Sequence, residues 1–156
     1  MEKLKRILIF IFGSVFLLSC KENKKTLLEI ILDDFKSVNS SKNISINIEQ
    51  NPIEKTYYFL IKANSTGFEK PHYICNYKGY GIEILNSKGF DLELLGEISL
   101  DAVEPKVEYY NVQGIDDSNQ QKLYVYKVKD LIVEKRMIFD IFGDLIDEHQ
   151  LNIRFR

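Results

Sequence analysis

The residues able to do chemistry are few, and their spacing limits what they could do. Asp140, Asp144, Asp147 and Glu148 crowd into nine positions. A metal or acid–base centre would need several of these carboxylates to converge on one point. A turn signal runs through them, so they read as solvated acids at a turn and along a strand. Asp116-Asp117-Ser118-Asn119 offers oxygen ligands but lacks the alternating spacing, central Gly and terminal Glu of an EF-hand loop. It reads as a plain hairpin loop. Gly79-Tyr80-Gly81 has no third glycine and no helix after it. A phosphate loop needs backbone N–H groups at a helix N-terminus, so a β-turn or bulge is expected instead. His72 and Cys75 stand three apart in a strand-like run, which points them to opposite faces. Cys75 therefore reads as a buried structural thiol rather than a nucleophile. Two histidines and one such thiol make no zinc framework. Neither Gly-x-Ser-x-Gly nor Ser-x-x-Lys occurs. No cofactor and no metal site is expected.

The nine tyrosines all lie between Tyr57 and Tyr126. Tyrosine joins a large apolar area to a polar tip and is enriched in binding interfaces. It also suits a half-buried pleated face for reasons of strand propensity alone. If the cluster is an interface, Tyr58, Tyr110, Tyr124 and Tyr126 are its candidate members. The last residues, Asn152-Ile153-Arg154-Phe155-Arg156, alternate as a strand with both arginines on one face. A solvated strand end is the expected reading.

These residues need elements to hold them, and the first twenty are not among those elements. Lys3, Lys5 and Arg6 precede a twelve-residue apolar stretch, Ile7 to Leu18, broken only by Gly13 and Ser14. A basic start, a short apolar run and a small residue before a cleavage point make a secretory signal. The run is too short to cross about 30 Å of hydrocarbon as a helix. Leu17-Leu18-Ser19-Cys20 resembles the lipobox of bacterial lipoproteins. That resemblance implies cleavage before Cys20, acylation of Cys20, and attachment to a lipid bilayer through it. Lys21, standing where Asp would retain an enterobacterial lipoprotein at the inner membrane, implies the outer membrane of the cell envelope. Either face of that membrane remains open. The chain then divides into a removed signal (1–19), a lipidated cysteine and tether (20–25), and one domain (26–156). Loss of Lys3, Lys5, Arg6 and Glu2 moves the net charge from -2 to -4. That balance offers no electrostatic footprint for nucleic acid. With Cys20 acylated, Cys75 has no intramolecular disulfide partner.

Within the domain one helix is expected, over 26–38. Thr26 and Glu29 have capping-box spacing, and Leu27, Leu28, Ile31, Leu32, Phe35 and Val38 form a 3.6-period stripe. Asp33, Asp34 and Lys36 are expected to face out. The period then becomes two, starting with Ile44, Ile46 and Ile48. Strands are expected at 56–63, 72–77, 81–85, 107–112, 122–129, 131–141 and 145–155. Phe90 to Leu100 fits either a strand or a short helix. Asn86 to Gly89 and Asp140 to Gly143 share an Asx-to-Gly spacing that would close a hairpin. The whole reads as α+β: an N-terminal amphipathic helix packed on a curved, mainly antiparallel sheet of about six to eight strands, with closure into a barrel as the alternative. Two functions follow. One is a non-enzymatic envelope domain that binds a protein, peptide or small ligand. The other is a small hydrolase-like enzyme whose site is assembled from distant residues. A histidine within reach of a carboxylate and a Ser or Cys would favour the second.

Overall fold

The computed structural model describes residues 24–63, 71–102 and 122–155. Cys20, the strand expected at 107–112, Tyr110 and the Asp116–Asn119 loop lie outside the described residues. Helix α1 runs from Leu27 to Val38. Thr26 caps it as expected: its hydroxyl accepts from the Glu29 N–H at 3.2 Å, and the Glu29 carboxylate accepts from the Thr26 N–H at 3.0 Å. The helix ends where Asn39 turns extended and its N–H closes on the Phe35 carbonyl.

The strands are β1 (Asn43–Asn51), β2 (Thr56–Ala63), β3 (Tyr73–Tyr77), β4 (Tyr80–Asn86), β5 (Asp101–Ala102), β6 (Leu123–Lys129), β7 (Ile132–Phe139) and β8 (Leu145–Arg154). They form one sheet in the order β5-β3-β4-β1-β2-β6-β7-β8. All pairings are antiparallel except β1 with β4, which is parallel. The chain makes the β1–β2 hairpin, then returns along the other side of β1 to lay β4 beside it. The parallel contact follows from that crossing. The sheet is mixed and open: β5 and β8 are its two ends and do not pair, so the barrel alternative fails.

Period-two alternation in each strand sends one set of side chains to the face beneath α1. Ile44, Ile46 and Ile48 of β1 register with Phe59 and Ile61 of β2, with Ile82 and Ile84 of β4, and onward to Tyr124 and Tyr126 of β6. All are buried against Leu27, Leu28, Ile31 and Phe35 of the helix. A short 3₁₀ turn, Leu92–Leu95, extends this cover beyond the helix. Phe90, just before it, meets Tyr57 and Phe59 edge to face at 5.0 and 5.1 Å. The 90–100 segment thus takes the short-helix alternative, as a single 3₁₀ turn over Leu92–Leu95. The Asn86–Gly89 turn does not close a hairpin, because the chain after it enters the core cover instead of pairing back. Its counterpart at Asp140–Gly143 does close one, joining β7 to β8.

Candidate functional site

A polar cluster sits at the end of the core under the second half of α1. Arg136 occupies the same inward phase of β7 as Ile138, opposite Tyr126 on β6 and His149 on β8. It is 6% exposed. Its Nη1 donates to both carboxylate oxygens of Asp34 at 3.1 and 2.9 Å, and its Nη2 donates to Asp147 at 2.8 Å. The Tyr126 hydroxyl donates to Asp34 at 2.9 Å. Asp34, expected to face out, is turned inward by this arrangement. A guanidinium under the helix needs a carboxylate partner, and position 34 is the helical residue that reaches it. Burial opposes the Arg136 charge, but Asp147 and Asp34 outweigh it and raise the guanidinium further. Burial first, and then the Asp34 charge, keep the Tyr126 phenol protonated far above its ordinary range. The guanidinium is bonded through both Nη atoms while its buried Nε has no partner among the described residues, and a paired guanidinium and a locked phenol do not exchange protons near neutrality. The cluster is a cross-link between α1, β6, β7 and β8.

The tyrosine surface is corrected by the same geometry. Tyr124 and Tyr126 belong to the inward phase of β6 and are buried, at 3% and 0% exposure. The Tyr124 ring packs edge to face on Phe35 at 5.0 Å, and its hydroxyl accepts from the Asn39 side chain at 3.0 Å. Neither is available to a partner. Tyr58 points to the opposite face, between Glu49 and Lys127, and is half-buried there. Alternation alone could not choose between the two phases of β6, because Leu123-Tyr124-Val125-Tyr126 is apolar on both.

The acids near the β7–β8 turn divide by role. Asp140 accepts from the N–H groups of Phe142 and Asp144, both at 2.9 Å, which fixes the turn. Asp147 joins Arg136, and Glu148 pairs with Lys135. They do not converge. His72 is exposed while Cys75 is buried on the inner face, as their spacing predicts. Burial, then the Asp101 charge, raise the Cys75 thiol. Among the described residues no histidine side chain hydrogen-bonds to a serine, a cysteine or a carboxylate. Gly79 sits in the β3–β4 turn with φ +82°, beside Lys78 at φ +49°, and a strand follows rather than a helix.

Two further features had no clear signal in the sequence. The first is strand β8, the sheet end beside β7, whose side chains are exposed along almost its whole length. Ile141, Phe142, Leu145 and Ile146 stand out at its turn, with Phe142 82% exposed. Asn152 bulges at φ +51° where the β7–β8 register shifts, and this turns Phe155 into the core. The second is a recess of about 420 Å³ on the face away from α1, near the other end of the sheet. Asn43, Gly81 and Asn76 form its floor in one cross-strand row, and Ile74, Glu83 and Asp101 stand in the next row. A Cβ at Gly81 would meet the Asn43 side-chain oxygen at 2.7 Å, so the exposed Asn43 amide would have to turn aside. Burial raises the Glu83 carboxyl above its ordinary value. No family model, no curated protein and no solved structure matches this chain.

Proposed function

We propose that this is a lipoprotein of the bacterial cell envelope, held at the outer membrane through acylated Cys20, whose domain works by binding an extended segment of another envelope protein along β8. The observation that supports it is the state of β8. An edge strand presents a row of unpaired N–H and C=O groups, and natural proteins blunt such edges with Lys, Pro or bulges. From Leu145 to Leu151, β8 has no Lys and no Pro, and its two acids, Asp147 and Glu148, are paired with Arg136 and Lys135 of β7. Its bulges, at Ile146 and Asn152, leave the ladder from Asp147 to Gln150 regular between them. Apolar side chains at the adjoining turn offer contact area beside the open ladder. Strand addition uses this combination: backbone bonds supply affinity and neighbouring side chains supply specificity. The enzyme alternative has no converging histidine, carboxylate and nucleophile to support it among the described residues.

The test uses protein cross-linked in its own envelope and purified. Phe142→Asp and Ile146→Lys change exposed positions and should leave the melting temperature within a few degrees of the parent. Each should abolish recovery of a partner that the parent recovers reproducibly. Equal recovery by both variants would overturn the β8 assignment. Cys20→Ala should leave an unprocessed precursor with no incorporated lipid. Unchanged lipid labelling and membrane fractionation in that variant would overturn the anchor.

A further inference from the structure

We propose that the recess floored by Gly81 binds an alkylammonium or alkylguanidinium group, with Glu83 and Asp101 as its charge partners. This site is separate from β8 and does not depend on that assignment.

The partly buried carboxylates described in this chain are partnered within the fold, with one exception. Those among the described residues are Glu29, Asp34, Glu83, Glu134 and Asp140. Glu29 pairs with Lys78, Asp34 with Arg136 and Glu134 with Lys127. Asp140 accepts two backbone N–H groups. Glu83 alone has neither a cation nor a donor among the described residues, and burial raises its carboxyl. A carboxylate withdrawn from water and left unpaired is unfavourable, and a cation beside it reverses that.

The surroundings say which cation. Ile74 pairs with Glu83 on one side and with Asp101 on the other, so all three side chains leave one face in a row. Two carboxylates therefore flank an apolar side chain, which suits a charged head on an alkyl stem. Asn43 and Asn76 border the floor and can accept from further N–H groups. Ser45 registers directly against Glu83 on β1. It is 1% exposed, and its hydroxyl has no partner among the described residues. Ser45 does not itself line the recess, so its unmet hydroxyl lies next to Glu83 at the recess margin. No group of three or more metal-ligating side chains occurs among the described residues, so the donor set is thin for an inorganic ion. The head group could belong to a free amine or to a basic side chain of a peptide, and the test separates these.

The experiment titrates the detergent-purified full chain with n-butylguanidinium at constant ionic strength, followed by amide NMR shifts. Ile74, Asn76, Gly81 and Glu83 should show saturable changes, and n-butanol should produce none. Glu83→Gln and Asp101→Asn should each weaken binding by roughly tenfold, the size of one charge-assisted contact. Gly81→Ala, which crowds the floor, should weaken it as well. An extended arginine-containing pentapeptide binding more tightly than n-butylguanidinium would assign the site to a peptide. Equal or weaker peptide binding would assign it to a free cation. No saturable change with either probe, equal binding of n-butanol, or unchanged affinity in both Glu83→Gln and Asp101→Asn would overturn the proposal.

Discussion

Two polar regions of this sheet contain carboxylates under partial burial, and they are built in opposite ways. Beneath α1, Asp34 accepts two bonds from Arg136 and one from Tyr126. On the other face, Glu83 has no such partner among the described residues and stands beside a recess. The first region pairs both of its charges within the fold, with only the Arg136 Nε left without a partner, so its energy goes into joining the helix to β6, β7 and β8. The second leaves an interaction incomplete, so its energy is available to something that arrives. Burial by itself does not distinguish a structural charge from a binding one. Satisfaction within the fold does.

The contrast can be broken most severely at Arg136. Arg136→Met leaves the Asp34 carboxylate under the helix without a cation, and removing one member of a buried pair is destabilising by about 3–5 kcal/mol. Denaturant unfolding should show that loss. The double variant Asp34→Leu/Arg136→Met should recover most of it, because both charges then leave together. A double variant no more stable than Arg136→Met would show that the pair itself, rather than the orphaned charge, carries the stability.

Asp147→Asn touches the exposed arm of the same network. The Asp147 side chain is 47% exposed. The expected loss in the same unfolding assay is about 0–1 kcal/mol, as for pairs open to water. A loss comparable to that of Arg136→Met would mean that the two arms are energetically alike.

A third variant sets an acid that is paired near the surface against both regions. Glu29 is held down to about 2 by the Lys78 ammonium, and then by the Thr26 N–H. A lowered folded-state value adds stability above the ordinary 4.5 and loses it as pH falls toward 2. Glu29→Gln should therefore flatten part of the acid limb of thermal stability in that window. An unchanged limb would remove Glu29 as a contributor.

The smallest expected effect has the opposite sign. Glu83 has a raised folded-state value, so its ionisation disfavours the fold as pH rises through that value. Glu83→Gln should raise the melting temperature slightly at about pH 7, and the difference should vanish at about pH 3. A lower melting temperature at neutral pH would mean that Glu83 has a cationic partner in the folded chain.

The helix and most strands were legible because each depends on local spacing. Thr26 and Glu29 cap α1 as their separation predicts, and β2 occupies Thr56–Ala63, the range its β-rich composition marks. Cys75 is buried, and His72 faces away from it, because alternation fixes both. The site residues were less legible. Tyr124 and Tyr126, candidate members of any tyrosine interface, line the core instead. Asp34 was placed outward, yet Arg136 draws it in. Glu83, a lone acid in a strand, has no distinctive spacing, and Gly81 reads with Gly79 as a turn or bulge rather than as part of a recess.

The sequence alone determined the period of each element, the caps and turns that bound it, and the lipobox resemblance at Cys20. These are short-range properties, set by neighbours a few residues apart. The tertiary structure alone decided which strands neighbour each other, that β1 and β4 run parallel, and that the sheet stays open with β8 at one end. It also decided that Arg136 meets Asp34 while Glu83 meets no cation among the described residues. Those outcomes depend on contacts between residues tens of positions apart, where a charge's environment is fixed by the partner that packing brings to it.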